Sequence, residues 1–180
     1  EISNHYYHMI NFIFTIQNNE FEFKDINLSY DNNDLKFPEL ILIKQKDEFL
    51  ISGKNKNKNL VLDDKKINQL FNNDLSNVKF ESAEFDLENT FSFKINDKYK
   101  IDDLKINSLM NLKSSKIVSS KNLKEFFPEL NEIIELSDHL IQIEYKKDLL
   151  NIIGNGNILI QEKKDNIYYN FSKSKTNLKF

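Results

Sequence analysis

The sequence predicts a mainly β fold with minor α content, built from antiparallel strands that each have one apolar face. Apolar residues recur at every second position in several runs, such as Phe91, Phe93 and Ile95. This period of two is typical of strands with one buried face. Only one long segment has helical spacing, so helices are too few to cover the strands. The sheet is therefore either open and curved, with an apolar groove, or closed against a second sheet as a β-sandwich.

Residues 1–115 are predicted to be strands joined by turns, apart from one short helix. Alternation over 10–16 and 21–30 is separated by Asn18 and Asn19. Asn is a turn residue because its side chain bonds to nearby backbone and tolerates positive φ. The sequence therefore predicts a hairpin at this point.

Further strands are predicted over 35–43 and 49–53. Pro38 marks an edge or a break, because proline has no N–H for the hydrogen-bond ladder. The Lys- and Asn-rich tract 54–59 is interpreted as a solvated hairpin loop, since runs of charge are usually exposed.

Two helices are predicted among the strands. Asp64 is the expected N-cap of a short helix over 65–73, whose apolar residues have i, i+3, i+4 spacing. A helical insert is predicted near 121–136, with a kink at Pro128. The remaining segment, 139–180, is predicted to return to strands.

Composition excludes several classes of function. The net charge of the 180 residues is −3 and the chain has no Arg, which argues against nucleic-acid binding. The absence of Cys excludes disulfides and thiolate catalysis. The chain begins at Glu1 without a basic leader, so we interpret it as a single fragment of a longer protein, with any anchor elsewhere.

No catalytic or metal-binding constellation is recognised. The paired acids Asp102 and Asp103 lie outside any calcium-loop motif and suit turn roles. His139 has no recognisable triad partners. Gly154 and Gly156 lie on the apolar phase of a strand, which indicates a bulge or the close approach of another chain. We therefore expect a non-enzyme with no cofactor and no metal.

The strand runs carry a resemblance to a known family. The segments 91–106, 123–130, 141–145 and 152–160 are similar in pattern to the strand arrays of the AsmA-like superfamily, the bridge-like lipid transfer proteins of the TamB and YhdP type. This resemblance implies an elongated, taco-shaped antiparallel sheet with a hydrophobic groove. It also implies a periplasmic protein of a Gram-negative cell envelope, anchored in the inner membrane outside this fragment.

The expected function is phospholipid transport between inner and outer membranes, as part of outer-membrane biogenesis. The expected partners are phospholipid acyl chains and neighbouring β-repeats of the same chain, and not nucleic acid. The alternative is a structural or adhesive β-sandwich module of a secreted or envelope protein. Under the first hypothesis the residues that line the groove and contact lipid are Phe91, Phe93, Ile95, Leu104, Ile106, Ile141, Ile143, Ile152, Ile158 and Ile160.

Overall fold

The structure, a computed structural model, describes residues 7–30, 33–64, 79–118, 133–160 and 162–174. Within these ranges the chain forms one antiparallel sheet of nine strands, and each strand pairs with its neighbours in sequence. The mainly β prediction is confirmed. The sandwich alternative is wrong for the described residues, because a sandwich needs two sheets and they form one.

The strands are long and follow one another as a meander. Their bounds are β1 Tyr7–Gln17, β2 Glu20–Tyr30, β3 Asn33–Gln45, β4 Glu48–Asp63, β5 Lys79–Asn96, β6 Ile101–Val118, β7 Ile133–Lys146, β8 Leu149–Ile160 and β9 Lys163–Ser174. The strand order places β1 at one edge of the sheet and β9 at the other.

Two-residue turns close the tightest hairpins. Asn18 and Asn19, at φ 49° and 65°, connect β1 to β2, so the hairpin predicted there is confirmed. Lys147 and Asp148, at φ 51° and 62°, connect β7 to β8 in the same way. Positive φ at both central residues is typical of the turn whose twist matches that of a hairpin.

The loop predicted over 54–59 is wrong, because this tract lies inside β4. Residues 54–57 pair in register with β5, residues 58–59 form a bulge, and Asn57 is buried. Two lysines of the tract have acidic partners on the adjacent strands, Glu39 for Lys54 and Glu88 for Lys56. Cross-strand pairs of opposite charge stabilise a sheet. The polar tract therefore continues strand β4 beside strands that carry acidic residues, and it does not form a loop.

Pro38 lies within β3, at the point where β3 leaves β4. The pairing of β3 with β4 ends at Glu39 and Lys54, whereas the pairing with β2 continues on both sides of the proline. Because proline cannot donate to a ladder, it interrupts one side of the strand. The edge predicted at Pro38 is confirmed on that side.

The described part of the predicted helical insert is not helical. The part of it over 133–136 belongs to β7, where Ile133 pairs with Val118 and Ile134 with Ile117. Long-range pairing with β6 overrides the helical spacing of these apolar residues. The part over 121–132, and the short helix predicted over 65–73, lie outside the described residues.

Bulges occur at one level of the central strands. They are at 58–59 of β4, at Lys113 of β6 and at 138–139 of β7. Asn59 and Asp138 both have φ 55° there. A bulge increases local twist and bends its strand, so these three strands bend at the same level. Further bulges lie elsewhere, at Glu81 of β5 and at 103–104 of β6.

The buried core lies on one face of the sheet, beside the bulges. Leu60, Phe85 and Leu112 are successive cross-strand partners on β4, β5 and β6, and all three are buried. Partly buried residues from neighbouring strands, including Leu35 and Leu136, pack against them.

Candidate functional site

One face of the sheet carries most of the apolar side chains of the strands. We call this the apolar face, and its clearest feature the first apolar row. In that row each residue is the cross-strand partner of the next: Phe14, Phe23, Leu40, Gly53, Phe91, Ile106, Tyr145, Leu150 and Lys173. At the usual strand spacing the row is about 38 Å long.

All ten residues predicted to line a groove are partly exposed, and the register places them on the apolar face. Phe91 and Ile106 are neighbours in the first apolar row. Ile143 and Ile152 are directly paired with each other in the next row. Four others lie near these two rows: Phe93, Ile95, Leu104 and Ile141. Ile158 and Ile160 lie farther along β8, beyond the bulge of β7.

A polar step interrupts the apolar face beside the first apolar row. Asn55, Asn89 and Ser108 are successive partners on β4, β5 and β6. The Oδ1 atoms of Asn55 and Asn89 are buried and have no hydrogen-bond partner. A buried acceptor without a partner costs about 1–3 kcal/mol. The polar step therefore lies between the first apolar row and the core around Phe85. The period-two pattern of the sequence did not predict this polar step.

Each glycine of the chain lies under a ring from an adjacent strand. A Cβ at Gly53 would lie 2.7 Å from Cζ of Phe91, one at Gly154 would lie 2.4 Å from the ring of Tyr169, and one at Gly156 would lie 2.3 Å from the ring of His139. The bulge predicted at this point lies on β7 opposite Gly156, whereas Gly154 is approached by a ring of the same chain and not by another chain. Rings packed over glycines keep the apolar face continuous where a side chain is missing.

His139 is placed by the bulge on β7 and is the most deeply buried side chain described. It is 1% exposed, and its Nε2 lies 2.9 Å from the carbonyl oxygen of Asn157. Because a carbonyl can only accept, Nε2–H is the donor. Nδ1 lies 3.3 Å from the hydroxyl of Tyr169. With the proton on Nε2, Nδ1 is an acceptor, so the hydroxyl of Tyr169 donates to it. Burial raises the pKa of Tyr169. This is a structural bridge from β7 to β8 and β9.

The opposite face carries more polar side chains, and it supplies most of the residues that line one cavity of the sheet. The cavity measures about 820 Å³ and crosses β4 to β9. The polar-face side chains that line it are Lys54, Lys56, Glu88, Thr90, Asn107, Leu109, Gln142, Glu144, Asn151, Ile153, Asn170 and Ser172. Asn55, Asn89, Ser108 and Ile143, which the register places on the apolar face, also line this cavity. The cavity therefore adjoins one of the residues predicted to contact lipid.

The acidic residues act within the sheet. Asp103 has φ 49° in a bulge of β6, and its hydrogen bond with Lys105 lowers the pKa of its carboxyl. Asp102 accepts from the backbone N–H of Asp103 at 2.8 Å. In the described ranges no three His, Cys, Asp or Glu side chains are grouped so that they could hold a metal ion.

Comparison with protein-family models, with curated proteins and with solved structures finds no match. Among the described residues no helix is both long enough and apolar enough to span a membrane.

Proposed function

We propose that the apolar face binds the acyl chains of phospholipid along the first apolar row. The observation that carries this proposal is the row itself, which crosses nine strands of a single sheet. All ten predicted contact residues are partly exposed, so a ligand can reach them. Apolar side chains on a face without a second sheet gain free energy when another apolar surface covers them.

The expected gain is sufficient for lipid binding. Each buried methylene contributes about 0.8 kcal/mol. A tail that buries only half of about ten methylenes would gain about 4 kcal/mol by this measure. From β1 to β8 the side chains of the row are apolar or aromatic apart from Gly53, so a tail could move along this part of the row without covalent chemistry.

The proposal extends to the cellular role that the AsmA-like resemblance implies. In that role the chain is a non-enzymatic part of a groove in the periplasm of a Gram-negative cell. The full-length protein is anchored in the inner membrane and conducts phospholipid toward the outer membrane. Neighbouring β-repeats lengthen the groove, and no cofactor or nucleic acid takes part.

The test is native mass spectrometry of the chain purified from bacterial membranes in mild detergent. The variants Phe93→Asp and Ile143→Asp place a carboxylate on the apolar face. Ile153→Asp is the control, because Ile153 lies on the polar face and pairs with Gln142 next to Ile143. We expect phospholipid on the wild type and the control, and its loss from both apolar-face variants. A folded, lipid-free wild type, or equal loss from the control, would refute the proposal.

A second candidate is an adhesive module, and the cavity on the polar face favours it. Amide and hydroxyl groups from five strands, including Thr90, Asn107, Gln142 and Asn151, line this cavity. Such groups suit a polar ligand. An adhesive function predicts ligand binding that Gln142→Ala weakens and Phe93→Asp leaves unchanged, the reverse of the lipid proposal. Glycan-array binding of these two variants would separate the candidates.

A further inference from the structure

The edge strand β1 has an unusual composition for an edge. Among the described strands it pairs only with β2, so the outer N–H and C=O groups of its backbone face away from the sheet. It contains no Asp, Glu or Lys. Apolar side chains are exposed on both of its faces, Phe12 and Phe14 on the apolar face and Ile13 on the other.

The other edge is built differently. β9 carries Lys163, Lys164, Asp165 and Lys173, and nearly all of its residues are exposed. Charged side chains, lysine above all, are the usual protection of an edge strand against pairing with another chain. One edge of this sheet is therefore protected and the other is not, which points to β1 as a surface for pairing.

We propose that β1 pairs antiparallel with β1 of a second copy of this chain, about a two-fold axis at Ile13. In this register Phe12 of one copy lies opposite Phe14 of the other on the apolar face, and Asn11 lies opposite Thr15 on the polar face. Ile13 lies opposite its own counterpart. The strand is thus complementary to itself in both polarity and shape, as a two-fold interface requires.

The pairing joins two sheets into one and makes their apolar faces continuous. Phe14 already packs against the rings of Phe23, at 4.7 Å between centroids, and Phe21, at 6.4 Å. A second copy would add Phe12 on the open side of Phe14. Aromatic cross-strand pairs contribute about 0.2–1 kcal/mol each, in addition to the backbone ladder between the two strands. This inference does not depend on lipid binding, and it requires that the neighbouring β-repeats proposed above join the sheet at β9 and not at β1.

Disulfide trapping tests the pairing, because the chain has no cysteine and a single introduced Cys can crosslink only between copies. Ile13→Cys places two sulfur-bearing residues opposite each other, within the Cα separation of about 4.4–6.8 Å that a disulfide needs. Ile16→Cys is the matched control, since Ile13 is 60% exposed and Ile16 is 61% exposed. In the proposed register the two copies of residue 16 are about 20 Å apart.

We expect mild oxidation of the lipid-free 180-residue chain to crosslink most of the Ile13→Cys variant and little of the Ile16→Cys variant. Tyr168→Cys on β9 should also remain uncrosslinked. Equal crosslinking of the three variants, or crosslinking of Tyr168→Cys alone, would overturn the proposal.

A charge-swap experiment provides an independent readout. One variant carries Asn11→Lys and Thr15→Lys, and the other carries Asn11→Glu and Thr15→Glu. Each should be monomeric by light scattering because like charges face each other, and a mixture of the two should form dimers. Circular dichroism checks that both remain folded. A wild type that is monomeric at about 100 μM, far above the dissociation constant of a specific dimer, would refute the pairing.

Discussion

Replacement of Gly156 by alanine tests how the bulge on β7 holds the sheet together. The bulge places His139 over Gly156, so that a Cβ at this position would lie 2.3 Å from two ring atoms of His139 and 2.7 Å from its Cα. The ring is enclosed, and it donates a hydrogen bond to Asn157. Both the ring and the backbone of β7 must therefore move to admit one methyl group.

The cost follows from two contributions. Overpacking a close-packed site costs about 1–3 kcal/mol. Displacing the ring also breaks its hydrogen bond to the carbonyl of Asn157, which contributes about 1 kcal/mol. We therefore expect Gly156→Ala to lower the free energy of unfolding by about 2–4 kcal/mol.

Gly154→Ala is the matched control on the same strand. A Cβ at Gly154 also lies close to a ring, but its three nearest neighbours are all side-chain atoms of Tyr169, at 2.4–2.5 Å. Tyr169 is on the edge strand β9, where the side chain can turn toward solvent. We expect this variant to lose no more than about 1 kcal/mol, close to the hydrogen bond that Tyr169 makes.

Urea unfolding followed by circular dichroism gives both values by linear extrapolation. A double-mutant cycle with His139→Ala adds a second readout, because removing the ring should reduce the cost of Gly156→Ala while the clash with the Cα of His139 remains. If Gly156→Ala were no more destabilising than Gly154→Ala, the account of the bulge would be refuted.

Three further predictions concern the rest of the sheet. Phe85 is 6% exposed and Leu109 is 41% exposed. Phe85→Ala should therefore leave a cavity and lower the free energy of unfolding by about 3–5 kcal/mol, whereas Leu109→Ala should have little effect. Equal losses in urea unfolding would contradict this placement of the core. Hydrogen bonds from the Asn59 backbone and from Lys113 lower the pKa of Asp86. The ionised carboxyl of Asp86 therefore stabilises the fold above the unfolded-state pKa, and this stabilisation is lost as pH falls through the folded-state pKa. Asp86→Asn should therefore reduce the acid-induced loss of stability between pH 5 and pH 2, as measured by urea midpoints, and an unchanged pH profile would argue against the interaction. Asp148→Gly should stabilise the β7–β8 hairpin by up to about 1 kcal/mol, because Asp148 has φ 62° and glycine adopts positive φ without strain. A lower melting temperature of the variant would contradict this prediction. It would show that the hydrogen bond from the hydroxyl of Tyr145 to Asp148 stabilises the hairpin more than the relief of strain does.

Local patterning predicted the strands where alternation was strong. The runs around Phe21 and Phe91 are strands, and Asn18-Asn19 is a two-residue turn. Patterning was wrong where local signals conflicted with long-range pairing. The tract 54–59 is polar, yet it extends β4, and 133–136 has helical spacing, yet it pairs with β6. In both places the adjacent strand supplies hydrogen bonds and side-chain partners that a sequence window does not contain.

The candidate site was predicted only in part, because local alternation shows which residues share a face but not which strands are neighbours. Period two places Phe91 and Ile143 on one face, and the register supports that grouping. The polar step at Asn55 and Asn89 depends on which strand pairs with which, so a single run gives no signal of it. The burial of His139 depends on a bulge, which one strand alone does not encode.

The sequence by itself determined that this chain is mainly β and that its strands have one apolar face, because alternation is a local property of the backbone. Only the tertiary structure decided that these strands form one open meander, that three bulges of its central strands lie at one level, and that a cavity crosses β4 to β9. These features depend on register between strands that are far apart in sequence. Register is set by the sum of many cross-strand contacts and not by any one segment.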